Sequence, residues 1–223
     1  MMAERKNGFY ARYIKRLLDI ICSALGMIMF CWLYGIIAIL VKVKLGSPVI
    51  YKVKRPGKID SKTGQEKIFE LYKFRSMTNE TDENGKLLPD TKRLTKFGRI
   101  LRASSLDELP ELYNILRGDM SIVGPRPLAV SYLDYYTTEE RHRHDVRPGL
   151  TGLAQVHGRN SITWEQKFAL DLQYIRELSF VQDVKILFRT IIKVFNREGI
   201  GQGEAAPISL SVERKKWRQS ENV

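Results

Sequence analysis

The sequence predicts an α+β protein: an N-terminal membrane-inserted helix, then a small, mostly helical domain with a β-hairpin and amphipathic interfacial helices. Three observations predict it. An apolar run of 22 residues without a formal charge lies near the N-terminus, short alternating segments follow, and helical apolar spacing then takes over. Among the 223 residues 43% are hydrophobic and 28% charged, enough for a packed core, and the formal net charge is +12. Such an excess implies an anionic partner, whether nucleic acid, phospholipid headgroups or a phosphorylated substrate.

The run extends from Ile20 to Val41 and would be about 33 Å long as a helix, close to the thickness of a hydrocarbon core. It continues into KVKLGSPVIYKVKRPG, which is no signal-peptide cleavage site, and a soluble core helix would keep a polar edge. Its two cysteines, Cys22 and Cys31, indicate neither a disulfide framework nor a thiolate metal site. Both flanks are basic: Arg5, Lys6, Arg12, Lys15 and Arg16 precede it, and six Lys or Arg with no acid fill residues 42–58. Residues 1–46 therefore read as a basic N-terminus with a membrane-embedded helix.

Residues 47–198 read as the cytosolic domain. Val49, Tyr51 and Val53 alternate, a turn-rich stretch from Asp60 to Gly64 follows, and KIFELYKFRSM completes a β-hairpin. Leu94, Phe97 and Leu101 line one face of a helix over Thr91–Arg102, whose other faces are basic. DELPELYNILRG reads as the next helix, ending near Gly118. Thr163 with Gln166, and Ser179 with Gln182, have capping-box spacing. The first opens a helix with Trp164, Phe168, Leu172 and Ile175 on its core face. The second opens a helix with Val184, Leu187, Ile191, Val194 and Phe195 inward and Lys185, Arg189, Lys193 and Arg197 facing headgroups or solvent. Residues 199–223 turn to Gly, Ser, Glu and Lys and predict a disordered tail.

Three clusters could carry chemistry. SSLDELPEL puts the carboxylates Asp107 and Glu108 at a helix start; Ser105 and Glu108 also fit a capping box, so a structural role competes. In GDMSIVGPRPL, Pro125 and Pro127 stiffen the backbone around Arg126, preorganising a phosphate-binding guanidinium or simply a rigid loop. RPGLTGLAQVHGRN holds Arg147 and Arg159 among Gly149, Gly152 and Gly158, glycines that would let backbone N–H groups approach an oxyanion. It matches neither a dinucleotide fingerprint nor a Walker loop. The three histidines have no metal-binding spacing.

Together these motifs resemble one family, the monotopic phosphoglycosyl transferases, or bacterial sugar transferases. The resemblance rests on the apolar helix leading to GSPVIYKVKRPG, on KIFELYKFRSM, SLDELPEL, GDMSIVGPRP and VRPGLTGLAQVHGRN, and on WEQKFALDLQYI; it covers residues 12 to about 197. It implies an enzyme of the bacterial inner membrane with its catalytic domain on the cytoplasmic face. Asp107 would attack the phosphorus attached to the sugar of a UDP-sugar, releasing UMP, and polyprenyl (undecaprenyl) phosphate would then displace the phosphosugar from the enzyme. Glu108 would ligate Mg²⁺; Lys73, Arg102, Arg126, Arg147 and Arg159 would contact phosphates, and Asp171 would be a further polar contact or a core-edge group. The sugar itself is not read from the residues, though N-acetylated donors are the commoner case for so short a member. Anionic lipids are implied partners, and downstream glycosyltransferases are compatible ones.

The competing reading is a membrane-tethered nucleic-acid module, but Trp164 and Phe168 follow helix-core spacing rather than that of a stacking platform. An inactive scaffold would not need the intact dyad. One departure from the family stands out. Members typically break the membrane helix with Ser-Pro, whereas the corresponding positions here are Cys31 and Trp32 and the run contains no proline. Lack of proline favours a straight span; the basic residues on both flanks favour a re-entrant, kinked helix with both ends cytosolic, which is the expectation taken.

Overall fold

A backbone run this apolar satisfies its polar groups by helix formation, and the computed structural model, which describes residues 8–158, 161–196 and 209–220, shows that helix in two limbs. A π-helical turn, Tyr10–Ile14, leads into α1 (Lys15–Met29), and α2 (Cys31–Leu45) follows at an angle of 63°. The break is at Phe30, immediately before the Cys31–Trp32 pair. Among the described residues no single helix is long and apolar enough to cross a membrane; only the bent pair is.

The kink needs no proline because little hydrogen bonding is lost. Phe30 N–H still donates to Gly26 O and Tyr34 N–H to Phe30 O, each at 3.0 Å. Both limbs are fastened to the rest of the chain. Arg16 donates to the carbonyls of Ile115 and Leu116 at 2.6 and 2.8 Å, Asp19 accepts from Ser121 Oγ and Ile122 N–H, and Lys15 and Tyr10 both reach Asp183. On the second limb Ile37 and Val41 are buried with Phe74 and Leu101.

After α2 the alternating segments form the predicted hairpin, β1 (Ile50–Ile59) antiparallel to β2 (Glu66–Phe74), with Tyr51 opposite Lys73. The single helix expected over Thr91–Arg102 is two: α3 (Asp90–Arg93) and α4 (Lys96–Ala103), divided where Thr95 leaves helical geometry and its hydroxyl accepts from Gly98 N–H. A short 3₁₀ turn, Leu106–Glu108, precedes α5 (Glu111–Arg117), which ends at Gly118 with φ 92°. Two three-residue strands, β3 (Ser121–Val123) and β4 (Gly149–Thr151), then pair in parallel. Between them lie a 3₁₀ segment, Val130–Tyr135, α6 (Thr138–Arg141) and another 3₁₀ turn, His142–Asp145. Helices α7 (Leu153–His157), α8 (Trp164–Arg176) and α9 (Phe180–Asn196) complete the domain. Thr163 and Gln166 form the predicted capping box, and Ser179 Oγ accepts from Gln182 N–H.

Three expectations are corrected. Ser105 makes no capping box: it sits at φ 55°, a left-handed conformation, and its side chain caps nothing. On α9 the inward residues are Asp183 and Ile186, with Leu187 half-buried, whereas Val184, Ile191 and Val194 are exposed; Phe195 and Arg197 lie outside the residues whose side chains are described. A stripe of apolar residues reads the same in sequence whether it faces a core or a membrane. The last correction concerns the tail. Helix α10 (Leu210–Ser220) occupies part of the segment predicted to be disordered, with Leu210 wholly buried against Trp164 and Phe168; residues 199–208 and 221–223 lie outside the described residues. One large apolar side chain with a prepared cleft outweighs the polar composition around it.

Candidate active site

The dyad stands in the 3₁₀ turn between α4 and α5. Pro110 blocks continuation of the turn as regular helix, so Asp107 and Glu108 precede α5 and Glu111 opens it. The left-handed Ser105 that starts the turn is the only non-glycine residue at positive φ among the described residues, a strained geometry of the kind that collects at functional sites.

Cations converge on the turn from three elements. Lys73, at the end of β2, places Nζ 2.9 Å from both Glu108 Oε1 and Glu111 Oε1. Arg126, from the loop after β3, places Nη2 2.8 Å from the same Glu108 oxygen. Arg102, in the last turn of α4, donates to Ser76 Oγ at 2.8 Å and adds its charge to the field at Asp107. Burial and then neighbouring Glu108 push the Asp107 carboxyl above the ordinary range, against the opposing pull of Lys73, Arg102 and Arg126. Burial likewise pushes Glu111 up to about 7, with Lys73 opposing. Beside Glu108, Arg126 is held charged above its usual range.

Two cavities meet at this cluster. One, of about 360 Å³, is cationic, with Arg55, Arg126 and Lys167 beside the aromatic rings of Tyr132 and Trp164. The other, of about 590 Å³, is mostly apolar and runs from Glu108 past Leu109, Leu112 and Leu150 to Gly26 and Phe30 at the break of the membrane-type helix. Gln155 lines both.

The model of the family described as "Bacterial sugar transferase" matches residues 10–197. The chain belongs to the bacterial sugar transferase family. It is 49% identical over 195 residues to a Bacillus subtilis protein described as "Uncharacterized sugar transferase EpsL", covering 85% of this chain and 91% of that one. It is 39% identical to the "UDP-glucose:undecaprenyl-phosphate glucose-1-phosphate transferase" of Caulobacter vibrioides, over 79% of this chain and 68% of the relative. With the protein of that name from Klebsiella pneumoniae the identity is 42%, over 81% of this chain but 40% of the relative, so there the match is to one part of a longer protein. As a member of this family the chain is an enzyme, a phosphoglycosyl transferase.

In this sugar transferase, Asp107, Glu108, Lys73, Arg102 and Arg126 of the residues singled out in sequence come together. Arg147 does not join them: its Nε donates to Gly118 O at 2.8 Å, at the opposite end of α5, where it satisfies a helix-terminal carbonyl. Asp171 accepts from Arg143 Nη2 at 2.7 Å, both groups being buried, and Arg143 in turn donates to the Arg126 carbonyl at 2.8 Å. Asp171 thus lines the cationic cavity with Arg126 and, through Arg143, also fixes the backbone of the Pro-Arg-Pro loop. Arg159 lies outside the described residues. The glycines of the third cluster serve packing instead: a Cβ on Gly149 or Gly152 would collide with the backbone of Gly124, and Gly149 N–H is already given to Pro125 O. Sequence reasoning missed Glu111, Arg55 and Lys167. Glu111 and Arg55 stand within motifs already noted, SLDELPEL and KVKRPG, but only folding shows which of those charged positions face the site.

Proposed function

We propose that this sugar transferase moves a sugar 1-phosphate from a UDP-sugar to undecaprenyl phosphate, at the cytoplasmic face of the bacterial inner membrane, through a covalent intermediate on Asp107. The observation that carries the reading is the Glu108–Arg126 ion pair beside Asp107: Arg126 lines a cationic cavity suited to a nucleoside diphosphate, and Glu108 lines an apolar cavity leading to the bent helix. Arg55, Arg126 and Lys167 offer charge and bidentate donors to a diphosphate, and Tyr132 and Trp164 offer ring faces to a base. The apolar cavity suits a polyprenyl chain arriving from the bilayer.

In the first step an Asp107 carboxylate oxygen forms a bond to the sugar-bearing phosphorus, the bond from that phosphorus to the bridging oxygen breaks, and UMP leaves with the electron pair. In the second, a phosphate oxygen of undecaprenyl phosphate attacks the same phosphorus, and the Asp107–phosphorus bond breaks to restore the carboxylate. Burial suits Asp107 to this role, because a poorly solvated carboxylate of raised basicity is a stronger nucleophile. Lys73, Arg102 and Arg126 oppose that rise, favouring the carboxylate form, and draw the substrate anion toward it.

The donor set fits one magnesium ion held through Glu108, a hard carboxylate facing the apolar cavity beside Asp107. Among the described residues no group of three His, Cys, Asp or Glu could build a cage of protein ligands, and magnesium ordinarily keeps waters and phosphate oxygens instead. When bound it would supply positive charge to the donor's phosphates.

Membrane placement is supported by the bent pair α1–α2 and by the exposed apolar residues Phe180, Val184, Phe188 and Ile191 on α9. Since α1 and α2 both fasten to one domain, both ends of the bent helix would lie on one side. Relatives whose names state a sugar give glucose or galactose, which moves the donor reading from an N-acetylated sugar to a plain hexose.

The test is UMP release from UDP-glucose and UDP-galactose, with and without undecaprenyl phosphate. Asp107→Asn is expected to abolish turnover while leaving the protein folded and membrane-bound. Trapping with labelled donor and peptide mapping should find the phosphosugar on Asp107, and its recovery on another residue overturns the mechanism.

A further inference from the structure

A third cavity, of about 430 Å³, lies away from the dyad where α7, α8 and α9 meet. On α9, Lys185 and Arg189 stand one turn apart on its wall, with Gln182 preceding them. Helical geometry puts these two cations on the flank between the exposed apolar face, Phe180, Val184 and Ile191, and the inward side at Ile186. If the apolar face meets the acyl chains, that flank lies at headgroup depth.

The lining is built for more than a phosphate. His157 Nδ1 lies 2.8 Å from Leu153 O, which assigns its proton there and leaves Nε2 to accept from Arg189 Nη1 at 3.1 Å; the guanidinium is thereby steadied at the rim. On the other wall Gln173 Nε2 and Gln182 Nε2 donate to the two oxygens of Glu177 at 3.1 and 3.2 Å. Gln182 Oε1 is buried and has no hydrogen-bond partner among the described residues. A buried acceptor left unpaired is unfavourable by about 1–3 kcal/mol, so the lining favours a ligand that brings a donor to it. Two cations on one side, with an acceptor and a carboxylate on the other, complement a phosphate linked to a hydroxyl or ammonium group.

We infer that this cavity binds the headgroup of a glycerophospholipid that carries a hydroxyl or ammonium donor beyond its phosphate. Phosphatidylglycerol and phosphatidylethanolamine have that chemistry; phosphatidylcholine lacks the donor. Soluble phosphates share the anion, but Val181 in the lining and the adjoining apolar face favour a ligand with chains. The inference rests on the membrane placement proposed above for α9.

The experiment uses the full chain in phosphatidylcholine nanodiscs doped with phosphatidylglycerol or phosphatidylethanolamine, followed by mild extraction and native mass spectrometry of retained lipid. Wild type should retain either doped lipid over phosphatidylcholine by about tenfold, or ~1.4 kcal/mol. Lys185→Ala/Arg189→Ala should lose that retention, and Gln182→Leu should retain phosphatidylcholine as well as the doped lipids. Equal retention in wild type and the double variant overturns the site. Displacement of the lipid by inorganic phosphate alone would assign the cavity to soluble anions and overturn the lipid. UMP release measured on the same samples reports separately on the proposed reaction, since none of these residues lies in the catalytic cluster.

Discussion

At the dyad three carboxylates share two close cations, and Glu111 is the one whose charge is least secure. Burial holds its pKa near 7, above the ordinary 4.5, so between those values the folded protein keeps a proton that the unfolded chain has released. Stability contributed by this group therefore declines as pH rises from about 4.5 to 7, by at most about 1.4 kcal/mol per pH unit. Glu111→Gln should flatten that part of the profile while keeping an acceptor for Lys73. Thermal unfolding in nanodiscs between pH 5 and 8 checks this, and a variant as pH-sensitive as wild type would show that Glu111 does not titrate there. The residue was not legible beforehand because its neighbours in SLDELPEL already explained the motif. Its burial follows from Pro110, which turns the first residue of α5 toward the end of β2.

Among elements, the N-terminal helix shows how a bend forms without proline. Arg16 and Asp19 bind α1 to the end of α5 and to β3, and a Cβ on Gly26 would come 3.1 Å from Leu112 Cδ1, so glycine permits the close approach of α1 to α5. Tertiary bonds at both limbs thus impose the bend, with its cost reduced because Phe30 keeps its backbone partners. Positions 8 and 62 should consequently share one side of the membrane. In a variant with Cys22 and Cys31 replaced, Gly8→Cys and Lys62→Cys should both resist an impermeant thiol reagent applied to intact cells and react after permeabilisation. Labelling of position 8 alone from outside would mean a true span. The place of the break was readable, since it adjoins the Cys31–Trp32 positions at which the family breaks its helix; the bend itself was not, because the bonds that impose it come from α5 and β3, distant in sequence. Helix α9 was misread for a related reason, because periodicity reports that a face is apolar and not what covers it.

For the whole molecule, α10 tests how far the domain extends beyond the matched residues 10–197. Leu210 is fully buried among Trp164, Phe168 and Tyr132, and Arg214 pairs with Glu140. Leu210→Ala should therefore reduce unfolding free energy by about 2–5 kcal/mol, read as a lower melting temperature, and an unchanged value would mean that α10 adds nothing to the fold. Tyr132 and Trp164 also line the cationic cavity, so this packing supports a wall of the site. The sequence by itself determined the apolar N-terminal helix, the hairpin, the later helices and the family, and its motifs held Asp107, Glu108, Lys73, Arg102 and Arg126, which the fold brings together. Those are properties of runs, periods and contiguous motifs, which need no knowledge of what lies across the fold. Only the tertiary structure decided that Arg147 serves the far end of α5, that Asp171 lines the cationic cavity while paired with Arg143, and that Gly149 and Gly152 admit backbone rather than phosphate. Each of those roles depends on partners distant in sequence, and a charge or a glycine takes its meaning from the group that folding sets against it.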